Sequence, residues 1–281
     1  MYVAFDIGGT KMRIAVSKDA KTLLREPFVE KTPPRFEDGI SHVTDIIREL
    51  TGGKQITAIA GGIAGSFNRE KTMLFHAPNL PGWVGKPLVE TLSKNTKAPV
   101  YAVNDTAIVG LGEAYAGAGM GYSIVAYITV STGVGGVRII DKVIDKRAFG
   151  FEPGHQIIDA DGSLCPDCAS GQLEDLISGT AVSRRFDKPA VDVVHPSLWS
   201  EELPRWLAFG LYNTVLYWSP DVIVLGGSMI VGEPAINIER TKQYLRDITT
   251  VFPEIPEIKK AECGDIGGIH GAFAYLRQQH R

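Results

Sequence analysis

The sequence has few cysteines, little net charge and no long apolar run, and each absence removes a class of protein. Three cysteines in 281 residues are too few, and of the wrong parity, for a disulfide framework; they fit a reducing, cytoplasmic setting. A formal net charge of -3 supplies no electrostatic footprint for nucleic acid or an anionic membrane. No apolar stretch reaches the length of a bilayer span, and Met1 leads at once into strand-like residues, so neither an anchor nor a signal peptide is expected. Two nucleotide-binding motifs are missing as well. The lack of Gly-x-x-x-x-Gly-Lys-Ser/Thr excludes a P-loop, and the lack of Gly-x-Gly-x-x-Gly after the first strand counts against a Rossmann dehydrogenase.

What is present is a globular composition, 44% hydrophobic and 22% charged, in a chain long enough for two modest domains. It is organised around residues 2–16, YVAFDIGGTKMRIAV. Two β-type runs flank a Gly-Gly-Thr-Lys turn, which predicts a hairpin. Gly8 and Gly9 leave no side chain between the backbone and an incoming anion, and successive N–H groups in such a turn can cradle phosphate oxygens. Asp6, ending the first strand, has the chemistry to hold Mg²⁺ beside them. An ordinary hairpin turn is the alternative reading of this motif alone.

Helical spacing predicts helices over 37–53, 86–97 and 106–116, and a longer one over 198–218 interrupted at Pro204. The glycine-rich stretch 117–121 is the expected hinge, giving domains 1–117 and 118–281, with the last helix packing back on the first domain. A second glycine hairpin follows at 123–141, around Ser131-Thr132-Gly133, and a third strand-to-glycine turn at 222–228. Two equivalent hairpins in successive α/β segments point to a duplicated domain with a phosphate cleft between the halves. The chain is expected to end in a strand, turn and helix over 264–276. Ligands in such a fold sit at the carboxyl edges of the strands.

The ordered set DIGGTK, APNLPGW, ND, STGVGG, EPGH, GQLE and VLGGS resembles the ROK family of sugar kinases and sugar-responsive repressors, from Tyr2 to about Leu276. The resemblance implies two RNase-H-like domains of the actin/hexokinase type closing over ATP, Mg²⁺ and a hexose, in a homodimer. It places Asp6, Gly8, Gly9, Thr10 and Lys11 in the first phosphate motif, Thr132 and Gly133 in the second, and Gly226 and Gly227 near the adenosine. It makes Asp105 the general base for a sugar hydroxyl, a role a carboxylate can fill; the alternative for Asp105 is a helix N-cap. Asn79, Asn104, Asp105, Glu152, His155 and Glu174 match hexose-contacting positions. Glucose is the first expectation, with mannose, fructose and N-acetylhexosamines as alternatives. The repressors' DNA-binding module precedes the first phosphate motif, where this chain has no residues, so no nucleic-acid partner is expected.

The chain departs from the pattern at a structural zinc that many family members carry on one His and three Cys. His155, Cys165 and Cys168 supply three ligands, but Asp167 stands at the second cysteine position and Gln172 at the third. Tetrahedral zinc needs a fourth donor, from Asp167 or water. A redox pair and a metal-free loop with two thiols are the alternatives. Cys263 reads as a core thiol.

Overall fold

The opening glycine motif folds as a hairpin in the computed structural model, which describes residues 1–165 and 170–279. Strands β1 (Tyr2–Ile7) and β2 (Lys11–Ser17) pair antiparallel, with Asp6 opposite Arg13. The chain divides into two units, one built from Met1–Met120, Lys142–Gly150 and Cys263–Arg281, the other from Gly121–Asp141 and Phe151–Glu262.

In the first unit the hairpin is followed by β3 (Phe28–Lys31), α1 (Phe36–Thr51), β4 (Ala58–Ile63), the short pair β5 (Ser66–Phe67) and β6 (Leu74–His76), α2 (Leu88–Thr96), β7 (Val100–Asn104) and α3 (Asp105–Ala116). The sheet order is β3-β2-β1-β4-β7, with β1, β4 and β7 parallel. Helix α1 forms where Ile40, Val43, Ile46, Ile47 and Leu50 fall on one face, and all five are buried in the same core as Val3, Phe5 and Ile7. It stops at Gly52, whose left-handed conformation (φ 59°) lets its N–H close the last turn. Trp83 anchors the proline-rich loop, edge-on to Phe36 at 5.5 Å and donating from its indole N–H to the Pro33 carbonyl.

The second unit carries β8 (Ile124–Val130) and β9 (Val134–Ile140), while β10 (Val143–Ile144) lies in the 142–150 piece. Then come α4 (Leu173–Ile177), α5 (Gly179–Phe186), α6 (Leu203–Trp218), β11 (Val222–Gly226), α7 (Ser228–Val231), α8 (Ile238–Ile248) and β12 (Glu257–Lys260). Here β8 pairs antiparallel with β9 and parallel with β11, which pairs parallel with β12. This is the arrangement of β2-β1-β4-β7 repeated, so the duplication suggested by the two glycine hairpins is present in the topology. Ala126, Ile128, Ile223 and Leu225 from the sheet meet Trp206, Leu207 and Leu211 of α6 in its core.

The expected break at Pro204 is present: the π-helical turn over Leu198–Glu202 gives way to α6 at Leu203, with Pro204 in the first turn of α6. One local expectation changes: residue 264 does not open a strand. Glycine and aspartate pack poorly on a pleated surface, and Gly264–Ile266 form a 3-10 turn leading into α9 (Gly267–Gln279).

Helices α3 and α9 pack so closely that side chains are excluded at the crossing. A Cβ on Gly271 would collide with the Ile108 carbonyl, and one on Gly112 with the Gly267 carbonyl. Gly271→Ala is therefore expected to destabilise the protein by about 2–3 kcal/mol, the usual cost of overpacking, read as a lower denaturant midpoint. An unchanged midpoint would show that the two helices can separate freely.

Candidate active site

Asp6 sits one residue from the end of β1, flanked by Arg13 on β2 and Gly62 on β4. The turn beyond it closes with the Gly8 N–H donating to the Lys11 carbonyl at 2.9 Å. Thr32 braces it from the side: its hydroxyl donates to the Gly8 carbonyl at 2.7 Å and its N–H to the Thr10 carbonyl at 3.0 Å. A Cβ on Gly9 would lie 2.5 Å from that of Asn79, so the 77–83 loop packs directly on the turn and brings Asn79 alongside it. Thr10 and Lys11 are exposed.

Asp105 is the first residue of α3, and its Oδ1 accepts from the Thr106 N–H at 2.8 Å. The N-cap is the neighbouring Asn104, whose Oδ1 accepts from the Ala107 N–H at 3.1 Å while its Nδ2 donates to the Gly65 carbonyl at 3.1 Å. The cap alternative for Asp105 thus falls to Asn104, whose two amide ends are both engaged with backbone. Burial, followed by the negative charge of Asp105, pushes the Asp6 carboxyl up to about 7; Arg13 opposes the shift and Asp265 adds to it. Arg13 is itself paired with Asp265 at 3.0 Å. Gly268 of α9 backs the carboxyl, since a Cβ there would lie 2.7 Å from its Cγ.

In the second unit, the Ser131 N–H donates to the Gly133 carbonyl at 2.8 Å across the β8–β9 turn. Because β8 and β11 run parallel with Gly226 opposite Thr129, this turn and the 226–228 turn lie side by side, with the Ser131 and Ser228 hydroxyls 3.0 Å apart. Gly227 holds a φ of 87°, closed to most residues. The start of α5 clamps the hairpin turn: the Gly179 N–H donates to the Ser131 carbonyl at 2.7 Å and the Thr180 hydroxyl to the Thr132 carbonyl at 2.7 Å. From α4, Glu174 Oε2 accepts the Val134 N–H at 2.7 Å, and a Cβ on Gly133 would lie 2.5 Å from that oxygen. Glu174 therefore touches the second glycine turn. Glu152 and His155 are exposed at either end of the 3-10 turn over Pro153–His155.

The zinc expectation is corrected here. Cys168 lies outside the described residues. His155 Nδ1 is 2.6 Å from Gln172 Oε1, and buried Cys165 donates its backbone N–H to Asp159 at 3.1 Å. Among the described residues no three His, Cys, Asp or Glu side chains converge as a metal set. The described part of the donor set does not fit tetrahedral zinc, because Cys165 is disulfide-bonded and its sulfur is not available as a thiolate ligand.

Sequence reasoning did not find Thr32, Thr180, Arg13, Asp265 or Ser228. Thr32, Thr180 and Asp265 stand in no recognisable motif; Arg13 lies in the opening hairpin and Ser228 ends the VLGGS motif, but neither stretch assigns the side chain a role. Ser228, directly after Gly226-Gly227, carried the nearest local signal.

The fold and the two glycine turns define a sugar-kinase-type protein of the actin/hexokinase class. The ROK family model matches residues 2–279, and the chain belongs to the ROK family. It is 32% identical to a glucokinase of Thermotoga maritima over 202 residues, a match spanning 70% of this chain but only 62% of that protein. The ROK hexokinase structure from Thermus thermophilus superposes with a TM-score of 0.81 at 27% identity, covering 100% of this chain and 99% of that one. A ROK family glucokinase from Streptomyces griseus, solved with glucose and AMPPNP, gives a TM-score of 0.76 at 26% identity, with 99% of each chain covered.

The Asp6 carboxyl holds its proton more tightly in the folded chain than in the unfolded one. Its contribution to stability is present below the unfolded value of 3.8 and is lost as pH rises through about 7. Asp6→Asn should therefore raise the melting temperature, measured without divalent cations, by a few degrees more at about pH 8 than at about pH 5. An equal gain at both pH values would contradict a desolvated Asp6.

Proposed function

We propose that this protein is a sugar kinase that transfers the γ-phosphoryl group of ATP to a hydroxyl of a hexose, with glucose the first substrate to test. The observation that carries the reading is the placement of Asp105 at the start of α3, near enough to Asp6 for its charge to raise that carboxyl, in the unit where Asn79 lies on the first glycine turn. Glucose and the ATP analogue bound by the Streptomyces griseus relative support the same pair of substrates.

In this reading Asp105 accepts the proton of the attacking sugar hydroxyl, a task a positioned carboxylate can perform. The turn of Gly8, Gly9, Thr10 and Lys11 and that of Thr132 and Gly133 hold phosphate oxygens, and Gly226 and Gly227 lie against the adenosine. Thr32, Thr180 and Glu174 keep those turns from deforming, so the phosphate contacts need no rearrangement when charge develops. Two carboxylates forced into mutual repulsion suit a divalent cation. Asp6 would hold Mg²⁺, which when bound neutralises charge on the transferred phosphate. Asn79, Glu152 and His155 select the sugar through its hydroxyls, since an analogue lacking one leaves a polar partner unpaired. Asn104 acts through the placement of Asp105, given its two backbone bonds.

The test is ADP release from ATP and Mg²⁺ across glucose, mannose, fructose and N-acetylhexosamines. Asp105→Ala should lower turnover by at least about a hundredfold while leaving sugar binding by calorimetry largely intact. Near-normal turnover in the variant removes Asp105 as the base. Sugar binding without ADP release in the unmodified protein would point to a sugar-sensing regulator instead.

A further inference from the structure

The 155–173 loop is closed by a polar ladder. The Ile158 and Asp159 N–H groups both donate to the Gly171 carbonyl, at 3.0 and 3.1 Å, the Leu173 N–H donates to the Gln156 carbonyl at 2.9 Å, and Ile157 bridges Gln172 antiparallel. The Gln156 amide ties the same segment to the neighbouring helix. Its Nε2 donates to the Pro153 carbonyl at 2.7 Å and its Oε1 accepts from Asn213 of α6 at 2.7 Å. Buried Asp159 accepts the N–H groups of Leu164 and Cys165 and so folds the intervening chain inward. These bonds fix the backbone of Gln172 opposite the 155–158 stretch, and its side chain ends 2.6 Å from His155 Nδ1.

The contacting atom decides the chemistry. The Gln172 atom is a carboxamide oxygen, which only accepts, so the 2.6 Å contact is a hydrogen bond in the tautomer whose proton is on Nδ1 of His155. Neutral imidazole has one N–H; with it on Nδ1, the exposed Nε2 presents a lone pair. A lone pair there accepts a hydrogen bond from a hydroxyl, whereas the other tautomer would offer its N–H there and would have to find a hydroxyl lone pair instead. A ring held at one nitrogen also loses its rotational freedom before any ligand arrives.

We infer that Gln172 is a positioning residue that fixes the tautomer and orientation of His155, so that Nε2 accepts a hydroxyl of the sugar. The inference rests on the kinase reading for the identity of the ligand, but the tautomer itself does not. Gln172 thus gives this loop, through one amide, the orienting function that a metal bound to the ring nitrogen would otherwise supply.

The experiment compares the unmodified protein with Gln172→Met, which keeps the length and removes the acceptor, and Gln172→Glu, which restores an acceptor oxygen. Nitrogen-15 NMR of the labelled imidazole should show His155 as the Nδ1–H tautomer in the unmodified protein and in Gln172→Glu, and no longer so in Gln172→Met. The sugar KM should rise about tenfold in Gln172→Met, the scale of one misdirected hydrogen bond, with kcat changed by less than about threefold and KM recovered in Gln172→Glu. An Nε2–H tautomer in the unmodified protein, an unchanged tautomer in Gln172→Met, or a KM untouched by the substitution would each overturn the inference. Absence of any sugar-dependent ADP release would remove the kinase reading alone, and the NMR comparison would still decide the role of Gln172.

Discussion

Two carboxylates, Asp6 and Asp105, repel one another in a poorly solvated corner of the first unit, and much of that unit serves to hold them there. The loss of water, and after it the negative charge of Asp105, raise Asp6 well above the ordinary carboxylate range. An unfolding chain would separate them, so the surroundings must be stiff enough to resist. Arg13, delivered by the adjacent strand, offsets part of the repulsion and is itself tethered to Asp265 at the entrance to α9. The glycine-lined crossing of α3 and α9 brings backbone against backbone, which brings Gly268 up to Asp6 with no side chain intervening. Under the proposed function, a cation bound at such a pair would neutralise it and return the stability given up there.

The same logic of rigid support recurs at both glycine turns. Each turn is poor in side chains, and each would be soft if left alone. Thr32 in one unit, and Thr180 with Glu174 in the other, tie down backbone carbonyls and an N–H group of these turns. The supports are unrelated in sequence although the strand arrangement repeats. Duplication preserved the topology, while the braces arose from whatever element each unit placed nearby.

The loop after the second hairpin shows how one requirement can be met by different chemistry. A histidine that must present one particular nitrogen needs something on the other. In this chain a glutamine amide lies on Nδ1, its backbone pinned by a short ladder and the Gln156 bridge to α6. Hydrogen bonds of this kind are individually modest, so their effect depends on acting together across a closed loop.

Much of this was legible in the residues. The glycine pairs, the apolar runs that end at them and the 3.6-residue spacing of α1 are local patterns, and local patterns determine strands, turns and helices. They were enough for the α/β class, for the duplication and for the motif set that led to the ROK family. The 264–276 stretch misled because glycines read as strand breaks can also open a helix. What the sequence alone could not reach was which carboxylates share a field, which threonine holds which turn, and what faces His155. Thr32 lies 24 residues from the carbonyl it holds, and Gln172 lies 17 from the ring it touches. Such partners are chosen by strand register and loop closure, which depend on the packing of the whole unit. The sequence by itself determined the elements and the chemical groups available; only the tertiary structure decided which groups meet, because hydrogen bonds and charges act through space and not along the chain.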